Sequence, residues 1–123
     1  MRGPRPPKTT ADAFQQARKD ILATLKRIPR GKVVSYSQVA FIAGWPGRAR
    51  LVARVLGDVP PEFGPVPWQR VINAQGRIAI PKDSPSHALQ QRLLEAEGVV
   101  FLNGRVRFEK HGWKTCDASP LLD

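Results

Sequence analysis

The chain has 123 residues, a length that suits one domain with one modest hydrophobic core. Lys and Arg number 20 against 10 Asp and Glu, and a net charge of +10 in a small domain points to a polyanionic partner, of which nucleic acid is the commonest, rather than to a merely solvated basic surface. No apolar run reaches the roughly 18 residues of a membrane span, the first ten residues lack the apolar stretch of a secretory signal, and a single cysteine, Cys116, excludes an internal disulfide framework.

Residues 1–9 are proline-rich and basic, carry no apolar periodicity, and read as a disordered arm. A helix is expected from Thr10 to Ile28, where Phe14, Ala17, Ile21, Leu25 and Ile28 recur at three- or four-residue steps and Pro29 and Gly31 stop it. After an extended Val33–Val34, Ser35 and Gln38 stand in capping-box spacing. The helix they start carries Val39, Ala40 and Phe41 and ends at Gly44; Trp45-Pro46-Gly47 turns the chain into a further helix that runs to about Leu56. Two short helices joined so tightly are the outline of a helix-turn-helix.

At 100° per residue, Leu51, Val52, Val55 and Leu56 form one apolar arc of the second of these helices. Arg50 and Arg54 lie opposite, flanked by Ala49 and Ala53. Arginines beside small residues suit a helix whose backbone comes close to DNA, whereas a helix built only for solvation would mix Glu and Lys there.

A proline-rich loop follows from Asp58 to Pro67. Val71-Ile72 and Ile78 to Ile80 flank Asn73-Ala74-Gln75-Gly76-Arg77 and predict a short hairpin or wing. A last long helix, about Ser86 to Glu97, is expected to present Leu89, Leu93 and Ala96 to the core. Asn103-Gly104 marks a two-residue hairpin turn, with Val99, Phe101, Val106 and Phe108 on one face and Arg105 and Arg107 on the other. His87, His111 and Cys116 are too few and too scattered for a zinc site, and no cofactor is expected. The expected class is α/β: a small winged helix-turn-helix domain with short strands over residues 10–113, followed by a tail, 114–123.

Four motifs occur in order between Phe14 and Glu109: Gly31-Lys32-Val33-Val34-Ser35-Tyr36, the Arg50 helix, Pro67-Trp68-Gln69-Arg70-Val71, and Glu95-Ala96-Glu97-Gly98-Val99. Together they resemble the DNA-binding domain of the O6-alkylguanine-DNA alkyltransferases. In those enzymes the third motif reads Pro-Cys-His-Arg-Val, and the cysteine takes the alkyl group off the base. Trp68 occupies that position here and Gln69 replaces the activating histidine, while Glu97 matches the glutamate that orients it. A thiolate needs a base or charge to activate it, so nucleophile and base are both missing. In this the chain is similar to the alkyltransferase-like proteins, which bind alkylated guanine without repairing it.

The resemblance implies that the second helix lies in the minor groove, that Arg50 enters the duplex to fill the space left by a flipped nucleotide, and that Tyr36 helps rotate the phosphate. Guanidinium can stack on bases and hydrogen-bond to the orphaned partner, a combination that lysine lacks, and a phenol near a helix start can donate to phosphate. The expected DNA-contacting residues are Tyr36, Ser37, Ala49, Arg50, Ala53 and Arg54; the expected lesion pocket comprises Tyr36, Leu56, Trp68 and Val71, with a contribution from the loop from Ile80 to Ser84. Arg70 is expected to hold the motif loop, and Glu97 to be structural. The expected partners are double-stranded DNA containing O6-alkylguanine and, by resemblance, the proteins of nucleotide excision repair. The protein is expected to be a monomer in the cytoplasm, associated with the nucleoid. A helix-turn-helix transcription regulator, a general DNA-binding protein, and a nuclease or glycosylase using paired carboxylates are the rival readings.

Overall fold

The computed structural model describes residues 10–114; the basic arm, 1–9, and the tail from residue 115 on, with Cys116, lie outside the described residues. Helix α1 spans Thr10–Leu25. An isolated helix of this length is marginal in water, so packing must hold it; Ala17, Ile21, Leu22 and Leu25 are all at most 1 % exposed. The helix ends three residues short of the Ile28 expected for it. The residue before a proline avoids the helical region, so Ile28, ahead of Pro29, leaves the helix, and the closing bonds are Arg27 N to Thr24 O and Ile28 N to Leu25 O. Ile28 still reaches the core, at 2 % exposed.

Strand β1 (Val34–Ser35) leads directly into α2 (Tyr36–Ile42), which the Trp45 turn joins to α3 (Ala49–Leu56). Strand β2 (Val71–Ile72) then pairs parallel with β1, Val34 opposite Val71 and Ser35 opposite Ile72. This corrects the expected hairpin. The turn from Asn73 to Arg77 does form, closed by Asn73 N to Arg77 O and Gly76 N to Asn73 O, but Ile78 to Ile80 is not a strand and β2 finds its partner some 37 residues earlier in the chain. Side chains alternate across a strand, so the pair is a seam between two cores. Val34 and Val71 join the larger core beneath α1, α2 and α3, whereas Val33 and Ile72 join a smaller one with Ile78, Leu94, Val99 and Val106.

The smaller core is covered by α4 (Pro85–Ala96) and closed by a short helix α5 (Phe108–His111). The face of α4 differs from the expected one: Leu89 is 39 % exposed and Ala96 is exposed, while Gln90 and Leu94 are buried. Buried Gln90 donates its amide nitrogen to the carbonyls of Gln69 at 3.0 Å and Val71 at 2.9 Å, while its Oε1 is left without a hydrogen-bond partner. The Asn103-Gly104 turn is present, with φ of 53° and 76°, and joins Leu102 to Arg105 by one antiparallel bridge. Val99, Phe101, Val106 and Phe108 all pack on the smaller core, as their common face requires. No helix among the described residues is long and apolar enough to cross a membrane.

The chain then returns to the seam. Val33 N donates to His111 O at 2.9 Å and Trp113 N to Val33 O at 2.8 Å. His111 is buried, and its Nε2 accepts a hydrogen bond from Val100 N at 3.2 Å. Burial, helped by Lys110 and Lys32, lowers its pKa from the usual 6.5. The folded protein therefore takes up this proton at lower pH than the unfolded chain, and stability falls as pH drops below 6.5. Between pH 7 and 5.5 the unfolding free energy should fall with a slope of up to about 1.4 kcal/mol per pH unit from this group. His111→Gln should flatten that slope in urea titrations; an unaltered slope would assign it elsewhere.

Candidate nucleic-acid interface

Ser35 caps α2: its Oγ accepts from Gln38 N at 3.1 Å. The reciprocal half of the capping box is absent, because Gln38 Nε2 donates to Trp113 O at 3.2 Å and pins α2 to the returning chain. The cap sets Tyr36 at the first position of the helix, half-buried, where burial raises the phenol pKa above its usual 10.0 and keeps it a neutral donor.

Helix α3 buries Val52 and Val55 fully and turns Arg50, Ala53 and Arg54 to solvent. Between α3, the start of α2 and the 73–80 segment lies an open apolar cleft of about 480 Å³. Tyr36, Ser37, Ala49, Arg50 and Ala53 line it together with Asn73, Ala74, Ala79 and Ile80. Arg54, expected with them, does not line this cleft: its guanidinium lies 4.3 Å from the centre of the Phe14 ring on α1.

A second cleft, of about 390 Å³, is lined by Tyr36, Ala53, Leu56, Gly57, Trp68, Ile80, Ser86 and Gln90. Tyr36, Leu56 and Trp68 thus meet as expected, and Ile80 brings in the following loop. Val71 does not line it. Val71 is fully buried in the larger core, and its carbonyl is occupied by Gln90. Tyr36, Ala53 and Ile80 line both clefts, so the two form one continuous depression from Arg50 to Trp68. Among the described residues, no carboxylate, histidine or cysteine lines either part, and no group of three His, Cys, Asp or Glu stands together as a metal site would require.

Trp68 sits in a 3-10 turn, Trp68–Arg70, fixed from behind by Glu97. Arg70 donates to both Glu97 oxygens at 3.0 Å and to Ile28 O at 2.8 Å. Gln69 Nε2 and Gly31 N donate to the same carboxylate at 2.8 and 2.9 Å. Burial alone would raise the Glu97 pKa, but the bonds from Arg70, Gly31 and Gln69 outweigh it and hold the carboxyl below its usual 4.5.

Two residues went unread in the sequence. Gln90 braces the Trp68 turn through the carbonyls of Gln69 and Val71; the signal was its place one turn before Leu94, on the same helix face. Asn73 lines the Arg50 cleft and orders its own turn, Oδ1 accepting from Gln75 N at 3.0 Å and Arg77 N at 2.9 Å. The signal there was an asparagine opening a glycine-containing turn.

A helix-turn-helix whose second helix turns arginines to solvent beside an apolar depression defines a DNA-binding domain. Residues 16–99 match the model of the 6-O-methylguanine DNA methyltransferase DNA-binding domain, and the chain belongs to that family. It is 41 % identical over 95 residues to a DNA base-flipping protein of Vibrio parahaemolyticus, covering 76 % of this chain and 92 % of that protein. It is 42 % identical over 72 residues to alkyltransferase-like protein 1 of Schizosaccharomyces pombe, covering 58 % of this chain and 66 % of the relative. The fold matches the crystal structure of S. pombe Atl1 in complex with damaged DNA containing O6-carboxymethylguanine, with a TM-score of 0.73 and 30 % identity over 82 % of this chain and 97 % of the other.

The Glu97 hub yields a stability prediction. Glu97→Ala leaves the guanidinium of Arg70 largely buried and uncompensated, which costs roughly 3 kcal/mol. Urea unfolding should show that loss, and a midpoint equal to wild type would mean that the hub does not hold the fold.

Proposed function

We propose that the protein is a non-enzymatic sensor of O6-alkylguanine in duplex DNA. Helix α3 enters the minor groove, Arg50 replaces the extruded nucleotide in the stack, Tyr36 steers its phosphate, and the damaged base lodges against Trp68. The observation that carries this reading is the unbroken depression from Arg50 to Trp68, with Tyr36 at the junction. Extruding a base costs a few kcal/mol, and least for a damaged pair, so alkylated guanine is captured preferentially. The apolar walls suit an added alkyl group. The relatives named for base flipping and the Atl1 structure on damaged DNA support the same assignment.

No alkyl transfer follows binding. An indole stands where the enzymes of the family carry the nucleophile, and Gln69 offers an amide with no basic lone pair in place of the activating histidine. Glu97, bonded to Gln69, Arg70 and Gly31, serves the fold instead. A sensor that leaves the lesion in place acts by flagging it, and the recipient we assign is nucleotide excision repair.

Two short duplexes differing only in one O6-methylguanine test the reading at about 0.15 M salt, where nonspecific phosphate binding is weakened. The damaged duplex should bind more tightly, Arg50→Ala should lose at least roughly tenfold, about 1.4 kcal/mol, and the methyl group should remain on the base afterwards. Equal binding to both duplexes would favour a general DNA-binding protein or a transcription regulator. Activation chemistry is tested separately by Trp68→Cys, which should transfer no methyl group because Gln69 leaves the new thiol unactivated; appreciable transfer by that single variant would refute the account.

A further inference from the structure

The hairpin arginines play no part in the lesion depression. Arg105 and Arg107 instead share with Arg77 a groove of about 520 Å³ on the other side of the Asn73–Arg77 turn. The two turns brace each other across it. Val106 N donates to Gly76 O at 2.8 Å, Arg105 Nε to Gln75 O at 3.0 Å, and Arg77 Nη1 to Asn103 O at 3.3 Å. The approach is close: a Cβ on Gly76 would lie 2.4 Å from Val106 O, and one on Gly104 would lie 3.1 Å from Arg77 Nη1.

The bracing holds the arginines in place while leaving them exposed. A guanidinium has five N–H donors, and the hydrogen bonds of Arg77 and Arg105 to carbonyls each occupy one. Arg107 Nε meets Glu109 at 3.3 Å, but both side chains are at least 60 % exposed. Such a pair contributes little in water and yields readily to a phosphate. The groove is also continuous with the lesion face: Ala74 lines both this groove and the Arg50 cleft.

We propose that the Arg77–Arg105–Arg107 groove is a second DNA-backbone site that holds phosphates of the duplex flanking the lesion. The inference rests on the DNA-binding reading above but not on lesion preference. It assigns to the groove the sequence-blind part of binding and leaves selection of the damaged base to the Arg50–Trp68 depression. Phosphate contacts position a protein on DNA without reading the bases, and each one adds to the salt dependence of affinity.

The test measures the affinity of the full chain for damaged and undamaged duplexes between 0.05 and 0.2 M salt, with Arg105→Gln/Arg107→Gln and Arg105→Lys/Arg107→Lys beside wild type. Removing one arginine–phosphate pair reduces the slope of log affinity on log salt by about 0.9. The Gln pair should lower the slope by about 1.8, so that wild type loses roughly tenfold more affinity than the variant across the range. Both duplexes should be affected equally, and the Lys pair, which keeps the charge, should retain most of the slope. Thermal unfolding verifies that the variants fold.

An unchanged slope in a folded Gln pair overturns the proposal and leaves an acidic protein, or solvent, as the occupant. An equal drop in slope for the Gln and Lys pairs also overturns it, since a displaced turn rather than a missing charge would then be responsible. If wild type shows no lesion preference while the slope responds as stated, the groove stands and the lesion-sensor reading falls.

Discussion

The Glu97 carboxylate is the constraint on which the arrangement depends. A buried carboxylate costs several kcal/mol unless its lone pairs are filled, and here donors from two other parts of the chain fill them. Gly31 comes from the link between α1 and β1, Gln69 and Arg70 from the Trp68 turn, and Glu97 itself caps α4. Arg70 extends the network to Ile28 O beyond the end of α1. Gly31 has φ +83°, and a Cβ there would lie 3.2 Å from Glu97 O, so the link passes against the end of α4 with little room for a side chain. One charge thus fixes where Trp68 stands relative to α1 and α4.

The β1–β2 seam fixes the remaining relation. A ladder of two residues per strand has few hydrogen bonds of its own, and what holds it is burial on both faces, the usual condition of parallel strands. Because Val71 belongs to one core and Ile72 to the other, α3 and the turn at Asn73 are referred to one backbone segment. The Arg50 cleft spans the two cores: Ala49, Arg50 and Ala53 come from the side of the larger, Asn73 and Ala79 from the side of the smaller. A shift of either core would open or close that cleft.

Local patterns carried much of this in the sequence. The α1 stripe, the Ser35 cap, the α3 arc and the Asn103-Gly104 turn each depend on neighbours a few residues apart, and each is present. The pairing of Val71–Ile72 with Val34–Ser35 was not legible, because a two-residue buried run states that it is covered but not by what. Leu89 and Leu93 fitted an apolar stripe as well as Leu94 did. The face that α4 buries carries Gln90, whose amide nitrogen pairs with the carbonyls of Gln69 and Val71, a pairing that no hydrophobicity pattern encodes. Val71 lies outside the pocket because it packs in the larger core and pairs with Val34. Arg54 turned to the Phe14 ring, a contact between helices that periodicity within α3 does not reveal. Trp68 and Gln69 gave the clearest signal through motif resemblance, whereas the hub that seats them appeared only in three dimensions.

A protein that alkylates itself ends its encounter with a covalent bond, so its dwell time on DNA matters only until transfer. A sensor without a nucleophile has no such end point, and its signal lasts as long as the complex. Affinity differences between related complexes lie mostly in dissociation rates. In the sensor proposed here, residence must therefore come from noncovalent contacts. On the proposed reading the apolar depression would supply selectivity, but opening the base pair consumes part of what it gains. A net charge of +10 supplies the complementary part, attraction to phosphate that is indifferent to sequence and to damage. Setting arginines on braced turns beside the lesion face, rather than on free loops, limits the side-chain ordering cost at each contact. In such a sensor the demand on the fold thus falls on holding a longer stretch of DNA backbone rather than on activating one atom.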